Sequence, residues 1–214
     1  MDVRSLQLGA LETNCWVVSD GIGGDAVVID PGGDFDVLMR ALGDARVAAV
    51  ILTHGHFDHL GAAARIVEQS GAPLLVHEAD AERITHASPH GTGGELFGFD
   101  DVAPHADRTL ADGDVLTVGA LTLTCLHTPG HTQGSMVLLA ADGSLGPDHL
   151  FSGDTLFAGS VGRTDFPGGD ARALARSIAG KLAPLAPDTV VHPGHGPDTT
   201  IGREARLNPF WPRG

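Results

Sequence analysis

Short apolar runs of roughly four to eight residues alternate along the chain with longer stretches whose apolar positions recur every three or four residues, which is the pattern of strands interleaved with helices. Three strand-like runs open the chain at 3–8, 14–19 and 26–30, the last two joined by a glycine-rich turn at 21–24. That turn reads Gly-Ile-Gly-Gly, but no helix follows it, so it is not expected to cradle a dinucleotide. Pro31-Gly32-Gly33 breaks the chain. Asp34 is then placed to cap a helix of about ten residues with Phe35, Leu38, Met39 and Leu42 on one face. Residues 47–53 form a continuous apolar run, expected as a strand buried on both faces. A second helix is expected over 58–70, stopped by Gly71 and Pro73.

The second half repeats this loosely. A strand is predicted at 74–77 and a short helix at 78–85, whereas 86–110 carry Gly, Pro and His without periodicity and read as a long functional loop, a candidate lid. Further strands are predicted at 114–118, 121–127, 134–140, 148–152 and 188–192, with helices at 170–182 and 199–207. The pattern predicts an α/β protein with two sheets packed face to face and helices outside. No linker or low-complexity tract interrupts it, so residues 1–214 are expected to form a single domain.

Composition narrows the partners. The net charge is −14 with only 13 basic residues, a surface that repels nucleic-acid phosphates and anionic lipid, so neither nucleic acid nor membrane is an expected partner. The first residues lack a signal-peptide layout and the longest apolar run is far too short to span a bilayer; a cytoplasmic location is the expectation. Cys15 and Cys125 sit in separate strand-like runs and are expected as buried free thiols.

The chemistry is concentrated in Thr53-His54-Gly55-His56-Phe57-Asp58-His59, directly after a buried strand. Alternate residues of a turn project to similar sides, so His54 and His56 can share one ion while Asp58 and His59 aim at a second beside it. Three further candidates, His131, Asp154 and His195, each lie just past a predicted strand, where α/β folds place their sites. Gly55, Gly130, Gly153 and Gly194 stand beside these donors, where turns are tight. The arrangement predicts two adjacent metal ions. The other histidines lack ligand spacing: His77, His86, His90, His105 and His149 are expected to be solvated or capping, and His127 and His192 to pack at strand ends.

The motifs HGHFDH, TPGHT, SGDTLF and HPGHG resemble the ligand motifs of the metallo-β-lactamase superfamily. The resemblance runs from Asn14-Cys15 and Asp30-Pro31-Gly32-Gly33 to Asn208-Pro209-Phe210, and within the superfamily it is nearest to small glyoxalase II-like hydroxyacylglutathione hydrolases. It implies the αβ/βα four-layer sandwich with two face-to-face mixed sheets. It also implies that His54, His56 and His131 hold one divalent ion and Asp58, His59 and His195 the other, with Asp154 bridging. Asp30 would orient the HGHFDH loop by hydrogen bonding. Zinc is the expected metal, and His and carboxylate donors are equally compatible with iron or manganese.

Two such ions lower the pKa of a bound water to about 7 and polarise a carbonyl, so no Ser or Cys nucleophile is needed, and Asp58 is placed to orient the water. A thiolate leaves without a general acid, and no residue free of metal presents itself as that acid, so a small acyl thioester suits the site. The resemblance names S-lactoylglutathione or the adduct of another low-mass thiol. Two features depart from the glutathione-dependent enzymes: Arg163 stands where they carry a lysine, and the chain has no tyrosine. Their C-terminal helical glutathione-binding domain is also expected to be absent, with nineteen residues following His195. Arg163 either pairs with Asp165 or a neighbour, or binds a substrate carboxylate. Arg163-Thr164-Asp165-Phe166 also resembles the loop of mononuclear-iron persulfide dioxygenases, the alternative reading.

Overall fold

The computed structural model describes residues 1–21, 24–141 and 146–212; Ile22 and Gly23 of the expected glycine-rich turn lie outside them. Asp2–Leu8 (β1), Thr13–Ser19 (β2), Asp25–Ile29 (β3), Arg46–Leu52 (β4), Leu74–His77 (β5) and Arg108–Leu110 (β6) lie side by side in chain order as one sheet. The first three pair antiparallel, and β3 to β6 pair parallel. The second sheet contains Val115–Val118 (β7), Leu121–His127 (β8), Met136–Ala140 (β9) and His149–Gly153 (β10). After a small hairpin of Leu156–Phe157 (β11) and Ser160–Val161 (β12), it is completed by Val190–Pro193 (β13) and Thr199–Thr200 (β14). Its order is β14-β13-β10-β9-β8-β7, with β10 and β13 parallel.

Period-two alternation decides which side each residue buries. In β2, Cys15 and Val17 face one way with Ala26 and Val28 of β3, and they pack under Leu38 and Leu42 of helix Phe35–Leu42 (α1) and Ile66 of helix Ala63–Ser70 (α2). Trp16, Val18, Val27 and Ile29 face the other way and meet Leu123, Met136, Leu138 and Phe151 of the second sheet. The outer face of that sheet, with Val137, Leu150 and Val191, packs under helices Ala171–Ser177 (α3) and Ile201–Leu207 (α4) through Leu174 and Ile201. Three apolar layers between helix, sheet, sheet and helix make the four-layer αβ/βα sandwich that the resemblance implies. No helix among the described residues is long and apolar enough to cross a membrane.

Several expected boundaries move, each for a local reason. Asp34 does not cap α1: its backbone is left-handed (φ 45°), and its carboxylate accepts from the Gly9 N–H at 2.8 Å instead. The helix expected over 58–70 begins at Ala63, because Phe57–His59 form a 3-10 turn that points Asp58 and His59 inward. The segment 78–85 is two 3-10 turns, Glu78–Asp80 and Arg83–Thr85, rather than a helix. The aperiodic stretch 86–110 contains a 3-10 turn at Gly94–Phe97 and ends in β6, three residues being too few to show a period. The final helix begins at Ile201, since Thr199 and Thr200 pair with β13. Both cysteines are buried and free, and burial pushes the Cys125 thiol up to about 12.

Candidate metal centre

Strand ends of both sheets converge on one edge of the sandwich. β3 leads to Asp30, β4 leads to His54 and His56, and β8, β10 and β13 lead to His131, Asp154 and His195. The two sheets are tied together beside these turns. The Met136 N–H donates to the Thr53 carbonyl at 2.9 Å, and the Asn14 side chain donates to the carbonyls of Pro193 (3.0 Å) and Gly196 (2.8 Å). Gly194 is required here: a Cβ would collide with the Asp154 carboxylate and the His59 ring.

The seven expected donors come together in overlapping groups. His54 Nε2, His56 Nδ1 and His131 Nε2 form a triangle with edges of 3.1, 2.9 and 3.2 Å. Alongside it, the Asp58 carboxylate lies 3.5 Å from His59 Nε2 and 3.2 Å from His195 Nε2. Asp154 stands between the groups, with Oδ1 3.3 Å from His59 and Oδ2 3.5 Å from His131.

The hydrogen-bond partners fix which nitrogens are free. The His131 Nδ1–H donates to the Arg163 carbonyl at 2.7 Å, and the His59 Nδ1–H donates to Asp30 at 2.9 Å. The Thr53 hydroxyl donates to Asp30 at 2.7 Å and so accepts from His54 Nδ1–H at 3.2 Å. Each of these imidazoles therefore presents an Nε2 lone pair to the centre. Asp30 reaches this position through a left-handed backbone (φ 52°), a strained conformation for a residue with a side chain.

Electrostatics agree with a cation site. Burial, followed by repulsion from the other imidazoles, holds His54 well below the ordinary histidine range, and burial with His131 lowers His56 to about 3. Burial opposes charge on His59 as well, but Asp154, Asp58 and Asp30 outweigh it and raise its pKa. Burial pushes Asp154 up, and the surrounding imidazoles more than reverse this, so it stays ionised. His59 Nε2 and Asp154 Oδ1 are buried without a hydrogen-bond partner. Converging lone pairs, orphaned donor atoms and excess buried carboxylate fit two divalent ions, a donor set of imidazole and carboxylate.

One supporting residue gave no signal in the sequence. Asp80 is fully buried and accepts from the Gly55 N–H (2.9 Å), the Thr132 hydroxyl (2.7 Å) and the Gly134 N–H (2.9 Å). It thereby clamps the loop carrying His54 and His56 to the loop carrying His131. Arg83, 3.4 Å from Asp80, extends the clamp to the carbonyls of Gly91 (2.7 Å) and Pro167 (3.0 Å). Thr13 carries no such signal either; its hydroxyl donates to Asp58 at 3.3 Å.

The centre floors a cleft of about 330 Å³ whose walls include Leu11, Phe57, Thr92, Phe97, Arg163 and Phe166. Thr92, Gly93 and Phe97 of the expected lid line one wall. Arg163 pairs through both Nε and Nη2 with Asp165, at 2.7 and 2.8 Å. Of the remaining histidines, His86, His90 and His105 are exposed. His77 caps a 3-10 turn but is buried, stacked on His127 at 3.8 Å, and His149 stacks on the buried His192 at 5.1 Å.

Comparison with known proteins agrees with this geometry. The model of the metallo-β-lactamase superfamily matches residues 8–195. The chain is 34% identical to the hydroxyacylglutathione hydrolase GloC of Haemophilus influenzae, with 98% of each covered. Among solved structures, the BLEG-1 B3 metallo-β-lactamase is 38% identical with a TM-score of 0.89, covering 98% of this chain and 99% of its own. The di-iron-bound form of TTHA1623 is 38% identical with a TM-score of 0.82, covering 97% of this chain and 99% of its own. The chain belongs to the metallo-β-lactamase superfamily and is a metal-dependent hydrolase of that superfamily.

Proposed function

We propose that the chain hydrolyses a small acyl thioester, S-lactoylglutathione or the lactoyl adduct of another low-mass thiol, at a dinuclear metal centre. The observation that carries this reading is Asp154 set between two donor groups at the floor of a narrow cleft. His54, His56 and His131 would hold one ion and Asp58, His59 and His195 the other. Zinc suits this set, and the di-iron relative makes iron a second candidate. When bound, two such ions lower the pKa of a water to about 7 and polarise a carbonyl.

The protein's own groups then divide the work. Asp58 faces the cleft and is steadied by the Thr13 hydroxyl, so its carboxylate can accept a hydrogen bond from the attacking water and orient it. Asp30, Thr53 and the Arg163 carbonyl hold three imidazoles in their required tautomers. Phe57, Phe97 and Phe166 exclude water around the acyl group. Among the described residues that line the cleft, Arg163 is the one titratable side chain outside the seven donors, and a guanidinium does not give up its proton. A leaving group must therefore depart unprotonated, which favours thiolate over amine or alkoxide. The relation to GloC supports the same substrate class.

The likeness to BLEG-1 favours a second reading, β-lactam hydrolysis, in which ring strain assists the leaving nitrogen. Persulfide oxidation at one iron would need only the triangle of His54, His56 and His131. Thiol release from lactoyl thioesters by zinc- and iron-loaded protein, with nitrocefin hydrolysis and oxygen uptake on a thiol persulfide run alongside, separates the three. We expect thiol release that is lost in His54→Ala. Thioesters left intact while nitrocefin or the persulfide is consumed would overturn the proposal.

A further inference from the structure

The mouth of the cleft differs chemically from its floor. Phe57 stacks on Phe97 at 5.4 Å and on Phe99 at 5.0 Å, and Phe97 meets Phe166 edge-on at 6.0 Å. Leu11 and Phe97 are left about half exposed, at 47% and 49%. Apolar surface open to water beside a reactive centre is surface that a ligand covers.

Arg163 stands at this rim, and it carries the one permanent positive charge among the described residues lining the cleft. Asp165 holds one edge of its guanidinium, through Nε and Nη2, and the group lies flat over the Phe166 ring at 3.6 Å from the centroid. The backbone of the same residue is fixed by its carbonyl bond from His131. A ligand carboxylate arriving here meets a pair of zero net charge, on a chain whose net charge is −14. It would lose hydration for the attraction of a cation whose charge Asp165 already neutralises. An uncharged ligand can lie along the Arg163–Phe166 stack and the Phe57–Phe97 wall without leaving any charge unpaired.

We infer that the thiol portion of the substrate is uncharged where it crosses this rim, and that Asp165 sets the preference by occupying the fork of Arg163. The inference rests on the thioesterase reading and specifies its substrate class. It makes glutathione, whose thiol portion carries carboxylates, a slower leaving thiol than a neutral one of similar size.

The test uses two lactoyl thioesters that differ in one charge, those of N-acetylcysteine and of its methyl ester, with metal-loaded protein. The methyl ester is expected to be favoured about tenfold in kcat/KM, the size of one unmatched charge in a partly solvated site. Titration calorimetry with the corresponding non-hydrolysable thioethers should show the same preference in Kd. In Asp165→Asn the ratio is expected to shift about fivefold toward the acid, and adding Arg163→Gln should abolish that shift. Both thioesters hydrolysed with the acid equal or faster would overturn this inference and leave the thioesterase standing. An unchanged ratio in Asp165→Asn would overturn the role of Asp165. Hydrolysis of neither thioester would remove the thioesterase reading, and this inference with it.

Discussion

An imidazole offers a lone pair to a cation only when its other nitrogen holds the proton, and the surroundings of this centre settle that choice residue by residue. Asp30 accepts one hydrogen bond from the His59 Nδ1–H and one from the Thr53 hydroxyl, and that hydroxyl turns His54 the right way round. Asp80 works at one remove. Both of its oxygens face donors, two backbone N–H groups and the Thr132 hydroxyl, so neither position suits a donor in its place. In Asp80→Asn, the new amide N–H₂ would face one of those N–H groups and leave Arg83 without its charge partner. We expect a loss of about 3 kcal/mol in urea unfolding, as for other broken buried pairs. Zinc affinity, read by competition with a chromogenic chelator, should fall about 10- to 100-fold. Unchanged affinity would show that the two loops hold their register without Asp80. The donors themselves were legible because HGHFDH packs four of them into one short segment. Asp80 was not, since the groups it binds lie 25 and 54 residues away.

At the scale of elements, α4 reaches the centre indirectly. Its buried Glu204 accepts from the Thr199 hydroxyl (2.6 Å), the Gly159 N–H (2.7 Å), Asn208 (2.9 Å) and Arg203 (2.6 Å), tying the helix to the β11–β12 hairpin. Phe157 of that hairpin lies edge-on to His195 at 6.2 Å. Burial pushes the Glu204 carboxyl up, but these bonds outweigh it and hold its pKa below the ordinary 4.5. A carboxyl depressed in the folded state contributes its stability above the unfolded pKa and loses it as pH falls through the folded one. Glu204→Gln should therefore cost about 1–3 kcal/mol at neutral pH, a cost that shrinks below pH ~4.5 in urea titrations. A cost independent of pH would show that the charge is not what the hairpin uses. The hairpin was invisible in the sequence because strands of two residues carry no period, and β6 was missed for the same reason. The start of α2 was misplaced because Asp58 and His59 have the spacing of a helical turn but serve the centre from a 3-10 turn. Strands such as β2 were legible because a continuous apolar run marks burial on both faces.

Across the whole molecule, the centre lies where the two sheets meet. Asp30, His54, His56, Asp58 and His59 come from the first sheet's loops, and His131, Asp154 and His195 from the second's. At this edge the sheets are also joined by the Thr53–Met136 bond, by the Asn14 and Trp16 contacts with Pro193, and by the bonds of Asp80 to Thr132 and Gly134. Ions held by these donors would act as a clip between the sheets and stabilise the folded chain by mass action. The two-sheet sandwich was legible from strand patterning, whereas the depth of the cleft was not, because its walls come from the aperiodic 86–110 segment and the loop around Phe166. The most direct test of the account is the metal content of chelator-stripped protein reloaded with zinc and freed of excess by gel filtration. Two ions per chain are expected, falling to about one in Asp154→Asn as the residue shared by both groups loses its charge. A single ion in the unmodified chain, or two retained unchanged in Asp154→Asn, would contradict it.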